Sequence, residues 1–399
     1  MSEPVVKVTD PGDYKRPEQG MVLFSVGDFA PVGRIEEECL HGNFDGFLRE
    51  ISHITATSDL NIVNLECPLT KSEDKIPKTG PNIKADPVCA EILKKGNFHI
   101  ACMANNHILD FGEKGLTDTL EQIGKMGVEP VGAGKDINEA GRALFRETGG
   151  FRFAFLNYAE HEFSIASSAK PGANPFSPYK AFGDIREAKK QADLVIVFYH
   201  GGIEYFPYPT PRIREIFRFL ADAGASAVIG HHSHAISGFE IRNGVPLIYS
   251  LGNFLFDEPD NEFDAWFRGM GVALEIDNAT INTVRLIPFY QCREKPEIER
   301  MDEESFEKTK DELTRFSGII SSDEELKKAW GQFAGHRERG MLKTLLNMNK
   351  FERLLYKMNI MEDRIIEEDQ VLRLLNYLRC ESHHELAVKI LEKKVKQKK

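Results

Sequence analysis

Short apolar runs, each ending in one or a few polar residues, recur through the first 300 positions. Residues 21–28, Met-Val-Leu-Phe-Ser-Val-Gly-Asp, predict a buried strand with a carboxylate at its tip. Residues 60–66, 98–104, 128–134, 151–158, 193–200 and 225–230 repeat the pattern, and 193–200 is the most uniformly apolar. Between them, residues 44–57, 87–95, 113–126, 181–192 and 212–223 have helical spacing; Leu116, Leu120 and Ile123 illustrate it. Asn243-Gly244 between 238–242 and 245–250 predicts a type I′ hairpin, with 250–254 finishing its second strand. Residues 270–276 and 281–288 predict two further antiparallel strands. The pattern is α/β, turning antiparallel late.

Past residue 300 the pattern changes. Glu, Lys, Leu and Arg dominate, β-branched residues thin out and no proline occurs, so 301–399 predicts a helical appendage. The expected organisation is a flexible segment at 1–20, a main domain at 21–300 and the helical region at 301–399. Lys393 to Lys399 reads as a frayed basic tail.

Charge refines this picture. The chain's net charge is −11, and residues 1–300 carry −12 of it, since 301–399 holds 20 Lys+Arg against 19 Asp+Glu. An acidic main domain excludes nucleic acid and anionic membranes as its partners and suits one that concentrates cations. Six scattered cysteines make neither a disulfide framework nor a thiolate zinc site, and predict reduced thiols. The first 20 residues lack the apolar core of a leader and no run of 18 apolar residues occurs, so a soluble, cytoplasmic protein is expected.

The polar residues at the predicted strand ends carry the chemistry. They are Asp28; Asn64 and Glu66; Asn105, Asn106 and His107; His200 and Glu204; and His231, His232 and His234. Taken singly, each has a plainer explanation: Asp28 caps a turn, Asn105-Asn106 caps a helix, His200 is a satisfied core histidine. Five strands ending in donor side chains call for a common cause. Imidazoles packed as densely as 231–234 repel once protonated, but serve well as neutral ligands to a divalent cation. Carboxylate, carboxamide and imidazole donors from several strands are what a one- or two-metal centre requires.

Gly27-Asp28, Asn64-Leu-Glu66, Ala104-Asn-Asn-His-Ile-Leu-Asp110, His200-Gly-Gly-Ile-Glu204 and Gly230-His-His-Ser-His234, in that order, resemble the CapA capsule-synthesis family (PGA_cap domain) of the calcineurin-like metallophosphatase superfamily. Ser250-Leu-Gly-Asn-Phe254 fits the same pattern, and the resemblance covers residues 20–260. It implies a four-layer αββα sandwich holding one or two divalent ions, Mn, Zn or Fe. It assigns Asp28 and His234 to the first metal, Glu66 to the bridge, and Asn106, His200 and His232 to the second. It also makes His107 the catalytic histidine, oriented by Asp110. Asn64, Asn105, Glu204, His231 and Asn253 are supporting candidates. Two positions depart from the superfamily: Ala30 stands where a histidine is usual, and Asn64-Leu-Glu66 replaces a Gly-Asp motif. The first metal thereby loses a nitrogen ligand, which leaves it weakly bound, completed by water, or reliant on Glu204 or His231.

The expected function is a metal-dependent hydrolase or transferase acting on a capsule or cell-envelope polymer, such as poly-γ-glutamate, or its precursor. Lys71, Lys75, Lys78 and Lys84 in the 70–86 loop are candidates to meet an anionic polymer, small-molecule or peptide substrate. The C-terminal helices are a candidate protein-partner surface. The competing expectations are an epimerase or isomerase on the same scaffold and a non-catalytic capsule-assembly subunit.

Overall fold

The computed structural model describes residues 3–345, 348–358 and 368–396; the last three residues of the basic tail lie outside them. The chain opens with β1 (Val5–Val8) and β2 (Met21–Ala30), followed by α1 (Arg34–Leu40) and α2 (Ser52–Thr57). Then come β3 (Leu60–Leu65), α3 (Glu91–Lys95), β4 (Ile100–Cys102), α4 (Gly112–Lys125) and β5 (Glu129–Val131). A short β6 (Ala133–Gly134) and α5 (Ile137–Ala140) precede β7 (Leu144–Thr148), β8 (Phe151–Ala159) and β9 (Gly172–Ala173). The second half runs α6 (Pro178–Ala188), β10 (Leu194–His200), α7 (Pro211–Ala223) and β11 (Ala227–His231). It closes with β12 (Phe239–Arg242), β13 (Val245–Ile248), β14 (Asn253–Phe256), β15 (Arg268–Asp277), β16 (Thr280–Gln291) and β17 (Ile298–Glu299).

Two sheets result. One has the order β1-β16-β15-β2-β3-β4-β5, with β14 also on β2; the other is β12-β13-β11-β10-β8-β7. Alternate side chains of each strand serve different cores. In β10, Leu194, Ile196 and Phe198 enter the space between the sheets, against Leu23, Leu60 and Ile62 of the first sheet. Val195, Val197 and Tyr199 point the other way, onto Ile185 of α6 and Phe217 and Leu220 of α7. On the far side, Ile35 of α1, Leu93 of α3 and Leu116 and Ile123 of α4 cover Phe24, Val63 and Leu65. Three apolar cores separating four layers make the αββα sandwich.

One expectation changes, and the packing bears on both ends of the main domain. Within the N-terminal segment residues 5–8 form β1, which pairs in parallel with β16, and Val6 and Val8 pack on the inter-sheet core. Four alternating residues are too short a period to stand out beside polar neighbours. Residues 250–254 do not extend the hairpin strand. The chain turns at Gly252 (φ 65°) and crosses to the first sheet, where β14 pairs with β2 at Asp28. Past residue 300, helix α8 (Glu303–Ser321) buries Leu313, Phe316 and Ile320, and the compact unit runs to Lys328. In the second unit, Ala329–Lys399, the described helices beyond α9 (Asp323–Leu345) are Lys350–Lys357, Glu368–Arg379 and Glu381–Lys396.

Candidate metal centre

The C-terminal ends of β2, β3, β4, β10 and β11 meet at one rim of the two sheets, the edge where parallel sheets build their sites. Glycine makes the approach of β2 and β14 close enough. A Cβ on Gly27 would lie 2.0 Å from the Gly252 carbonyl oxygen, and Asp28 N donates to that oxygen at 3.0 Å. Beyond β11 the backbone takes positive φ at His232 (96°) and His234 (52°), conformations that cost a non-glycine residue energy and cluster at functional sites.

Asp28, Asn64 and Glu66 are fully buried. Asn64 Nδ2 donates to Asp28 Oδ1 at 2.8 Å and lies 3.3 Å from His200 Nδ1. His232 N donates to Asp28 Oδ2 at 3.2 Å, and His234 Nδ1 lies 3.4 Å from the same oxygen. Asn253 Oδ1 faces His234 Nδ1 at 2.8 Å, while its Nδ2 donates to the Trp266 carbonyl at 3.0 Å. His200 Nε2 lies 2.9 Å from Asn106 Oδ1 and 3.4 Å from Glu66 Oε1. The His200 and His232 rings stand 4.9 Å apart.

Among the described residues two donor groups emerge. Glu66, His200 and His232 bring one ligand atom each within 4.8 Å of one another; Asp28, Glu66 and His234 do the same. Glu66 belongs to both. Neither of its carboxylate oxygens has a hydrogen-bond partner, and His232 Nδ1 has none. A buried carboxylate without a hydrogen bond, beside an imidazole nitrogen that also lacks one, costs several kcal/mol, and this donor set is the kind that a divalent cation satisfies. The residues are compatible with a divalent metal.

Burial and charge divide the donors of the metal-free centre. Burial, and then the charge of Asp28, push the Glu66 carboxyl well above the usual range. Burial would raise Asp28 too, but the hydrogen bond and charge of His234 outweigh it and hold the carboxyl low. Burial pulls His200 down to about 3 and His232 well below its ordinary value, so both rings are neutral, as ligands must be. At His234 burial acts downward, while Glu66 and the Asp28 hydrogen bond dominate and raise it.

The other candidates sort by position. Asn105 is a structural cap: its Oδ1 accepts from His107 N and Ile108 N, and its Nδ2 donates to the Leu65 carbonyl. Asp110 Oδ2 lies 2.7 Å from His107 Nδ1, and both residues are buried. His231 is in neither donor group; it stacks on Phe198 at 6.0 Å, and neither of its ring nitrogens has a hydrogen-bond partner. Glu204 is exposed and also in neither group. Neither residue joins a donor group, and Ala30 is buried in an apolar core.

Two contributors escape a linear reading. Trp266, whose ring is 4.9 Å from that of His234, holds Asn253 through its carbonyl. Lys78 is no surface lysine: its Nζ lies 2.6 Å from Asp110 Oδ1 and its side chain is 4% exposed. No local pattern distinguishes it from Lys71 or Lys84, which pair with Asp86 and Glu73.

An αββα sandwich with a buried carboxylate–imidazole centre at its strand ends defines an α/β protein with an edge site suited to divalent cations. The chain belongs to the family described as bacterial capsule synthesis protein PGA_cap, whose model matches residues 22–258. It is 32% identical over 237 residues to the PGA biosynthesis protein CapA of Bacillus subtilis (strain 168), covering 58% of this chain and 62% of that protein. It is 30% identical over 252 residues to the capsule biosynthesis protein CapA of Bacillus anthracis, covering 61% of each. The chain thus spans about three-fifths of the length of these curated relatives. Solved structures that resemble it include a hypothetical protein from Thermus thermophilus (TM-score 0.44, 16% identity, 68% of this chain and 99% of that one). Another is the 5'-nucleotidase from Candida albicans SC5314 (TM-score 0.41, 13% identity, 84% of this chain and 59% of that one). The layer order itself rests on the packing of the three cores.

Among the described residues no helix is long and apolar enough to cross a membrane.

Proposed function

We propose that this chain is a metal-dependent hydrolase or transferase of the capsule-synthesis family, acting on a capsule or cell-envelope polymer such as poly-γ-glutamate, or on its precursor. The observation that carries the reading is the Glu66 carboxylate, buried, without a hydrogen-bond partner and shared by two donor groups. Asp28, Glu66 and His234 would hold one ion, and Glu66, His200 and His232, with Asn106 Oδ1 beside His200 Nε2, the other. Bound there, a divalent ion (Mn, Zn or Fe) supplies Lewis-acid polarisation of a phosphoryl or carbonyl oxygen. Asn64 fixes Asp28, and Asn253 fixes the ring of His234. His107, its Nδ1 against Asp110, presents Nε2 to exchange a proton with the substrate. A cytoplasmic location and an anionic polymer, small-molecule or peptide substrate complete the reading. The uncovered apolar side chains of the C-terminal helices offer a surface to a protein partner.

Elemental analysis tests the centre. Purified protein should carry at least one equivalent of Mn, Zn or Fe, reduced in Glu66→Ala and His232→Ala and retained in His107→Ala. Protein that holds no metal and takes none up on titration would refute the assignment. Ala30 leaves the first donor group with a single imidazole, which favours keeping an epimerase as the second reading. A panel of phosphoesters and glutamyl peptides, scored for both cleavage and solvent-deuterium uptake, separates the two. Cleavage supports the hydrolase, and exchange without cleavage supports the epimerase.

A further inference from the structure

We propose that Lys78 is a positioning residue for His107: its buried ammonium, held by Asp110, locks the imidazole in the tautomer that carries its hydrogen on Nδ1. The proposal rests on the reading of His107 as the group that handles a proton at the centre.

Two side chains meet at Nδ1 of the His107 ring. Asp110 Oδ2 is 2.7 Å from Nδ1, Lys78 Nζ is 3.1 Å from the same nitrogen, and Nζ is 2.6 Å from Asp110 Oδ1. An ammonium group has donors only, and a carboxylate acceptors only. The two therefore ask opposite things of Nδ1: facing the carboxylate it carries the hydrogen, facing the ammonium it offers the lone pair. The shorter contact belongs to the carboxylate. The ammonium has other acceptors, Asp110 Oδ1 and the Asn106 carbonyl at 3.4 Å, so its hydrogens need not point at the ring. Nδ1 is then the donor, and Nε2 carries the lone pair.

Why a cation stands there follows from burial. The Asp110 side chain is 0% exposed and that of Lys78 is 4%. A lone carboxylate at such a depth costs several kcal/mol and would draw in water or turn away. Lys78 supplies its counter-charge. The surrounding loop fixes the geometry: Ile83 N donates to Asp110 Oδ2 at 2.8 Å, and Ile76 N and Asn82 Nδ2 donate to the Asp110 carbonyl at 3.0 and 3.1 Å. The 76–83 stretch thus grips Asp110 from both its backbone and its side chain. Enclosed in this way, the Lys78 ammonium is not available to an anionic polymer, unlike the exposed Lys71.

The test reads the ring directly, without a turnover assay. The full chain is labelled with ¹⁵N-histidine, and long-range proton–nitrogen correlations are recorded metal-free and again with Zn. The His107 signals, among those of 12 histidines, are assigned by their loss in His107→Gln. Wild-type protein should show one protonated nitrogen and one lone-pair nitrogen at His107, with Nδ1 protonated. In Lys78→Met both nitrogens should shift toward a common averaged position, and Lys78→Arg should restore the split pattern. An unchanged pattern in Lys78→Met, or an Nε2-protonated ring in wild type, overturns the proposal. Should Lys78→Met lose the dispersion of the other histidines, Lys78→Gln takes its place under the same criteria. Metal content, measured in parallel, should not change in the Lys78 variants. A wild type without metal would sink the proposed function while leaving the tautomer result standing.

Discussion

At the scale of single residues, His231 isolates what burial without a partner costs. Its ring stacks on Phe198, neither ring nitrogen meets hydrogen-bond geometry, and the Val26 backbone offsets only part of the effect of burial. A buried polar atom without a partner costs about 1–3 kcal/mol, so His231→Phe should stabilise metal-free protein by about that amount near neutral pH. Burial also pulls His231 down to about 4 from its ordinary 6.5. A depressed pKa contributes stability above 6.5 that is lost as pH falls, because the unfolded chain takes up the proton first. The advantage of His231→Phe should therefore widen between 6.5 and about 4, by at most about 1.4 kcal/mol per pH unit. Urea unfolding at several pH values measures it; a gap that narrows on acidification would contradict the sign. Metal content should be unchanged, since His231 is in neither donor group. The same contrast marks what residues disclose. His200, His232, His234, Asp28 and Glu66 were legible because each ends an apolar run. His231 resembles its neighbours in sequence, but strand alternation turns its ring inward onto Phe198. Lys78 was legible only as one loop lysine among four, because the partner that buries it is Asp110, beyond the next strand.

At the scale of elements, strand periodicity disclosed β2, β3, β8, β10 and β11 well, and Asn243-Gly244 marked its hairpin correctly. Positive φ at both residues, 52° and 82°, fits the expected turn. The crossing of β14 was not legible, since it depends on two distant glycines meeting. Gly27→Ala tests that crossing. Its new Cβ would sit 2.0 Å from the Gly252 carbonyl oxygen, a backbone atom that cannot step aside alone. Overpacking of this kind costs about 1–3 kcal/mol. Because Asp28 N bonds that same oxygen, the carboxylate moves with the strand. We expect a lower denaturation midpoint together with metal lost from the Asp28 group. Full metal retention with lowered stability would mean that β14 supports the sheet but does not set the position of Asp28.

For the whole molecule, the question is where the unit that holds the candidate site ends. Composition suggested 300, because helical residues begin there, yet helix content does not define a domain; a shared core does. Leu313, Phe316 and Ile320 of α8 are buried, and Arg214, itself buried, pairs with Asp323 at the start of α9. Leu326, one turn further, is fully buried. Beyond Lys328 the second unit leaves large apolar side chains uncovered, Phe351 at 67% and Leu391 at 65% among them. A chain of residues 1–328 keeps every buried contact just named and all the proposed ligands. Its thermal midpoint should stay within about 3 °C of the full chain, the shift that about 1 kcal/mol produces in a domain of this size. Its metal content should equal that of the full chain. A cut at residue 300 should instead drop the midpoint by about 10 °C or more, because the three buried apolar side chains of α8 leave the core together. Equal stability of the two truncations would show that α8 is an appendage after all, and would return the boundary to 300.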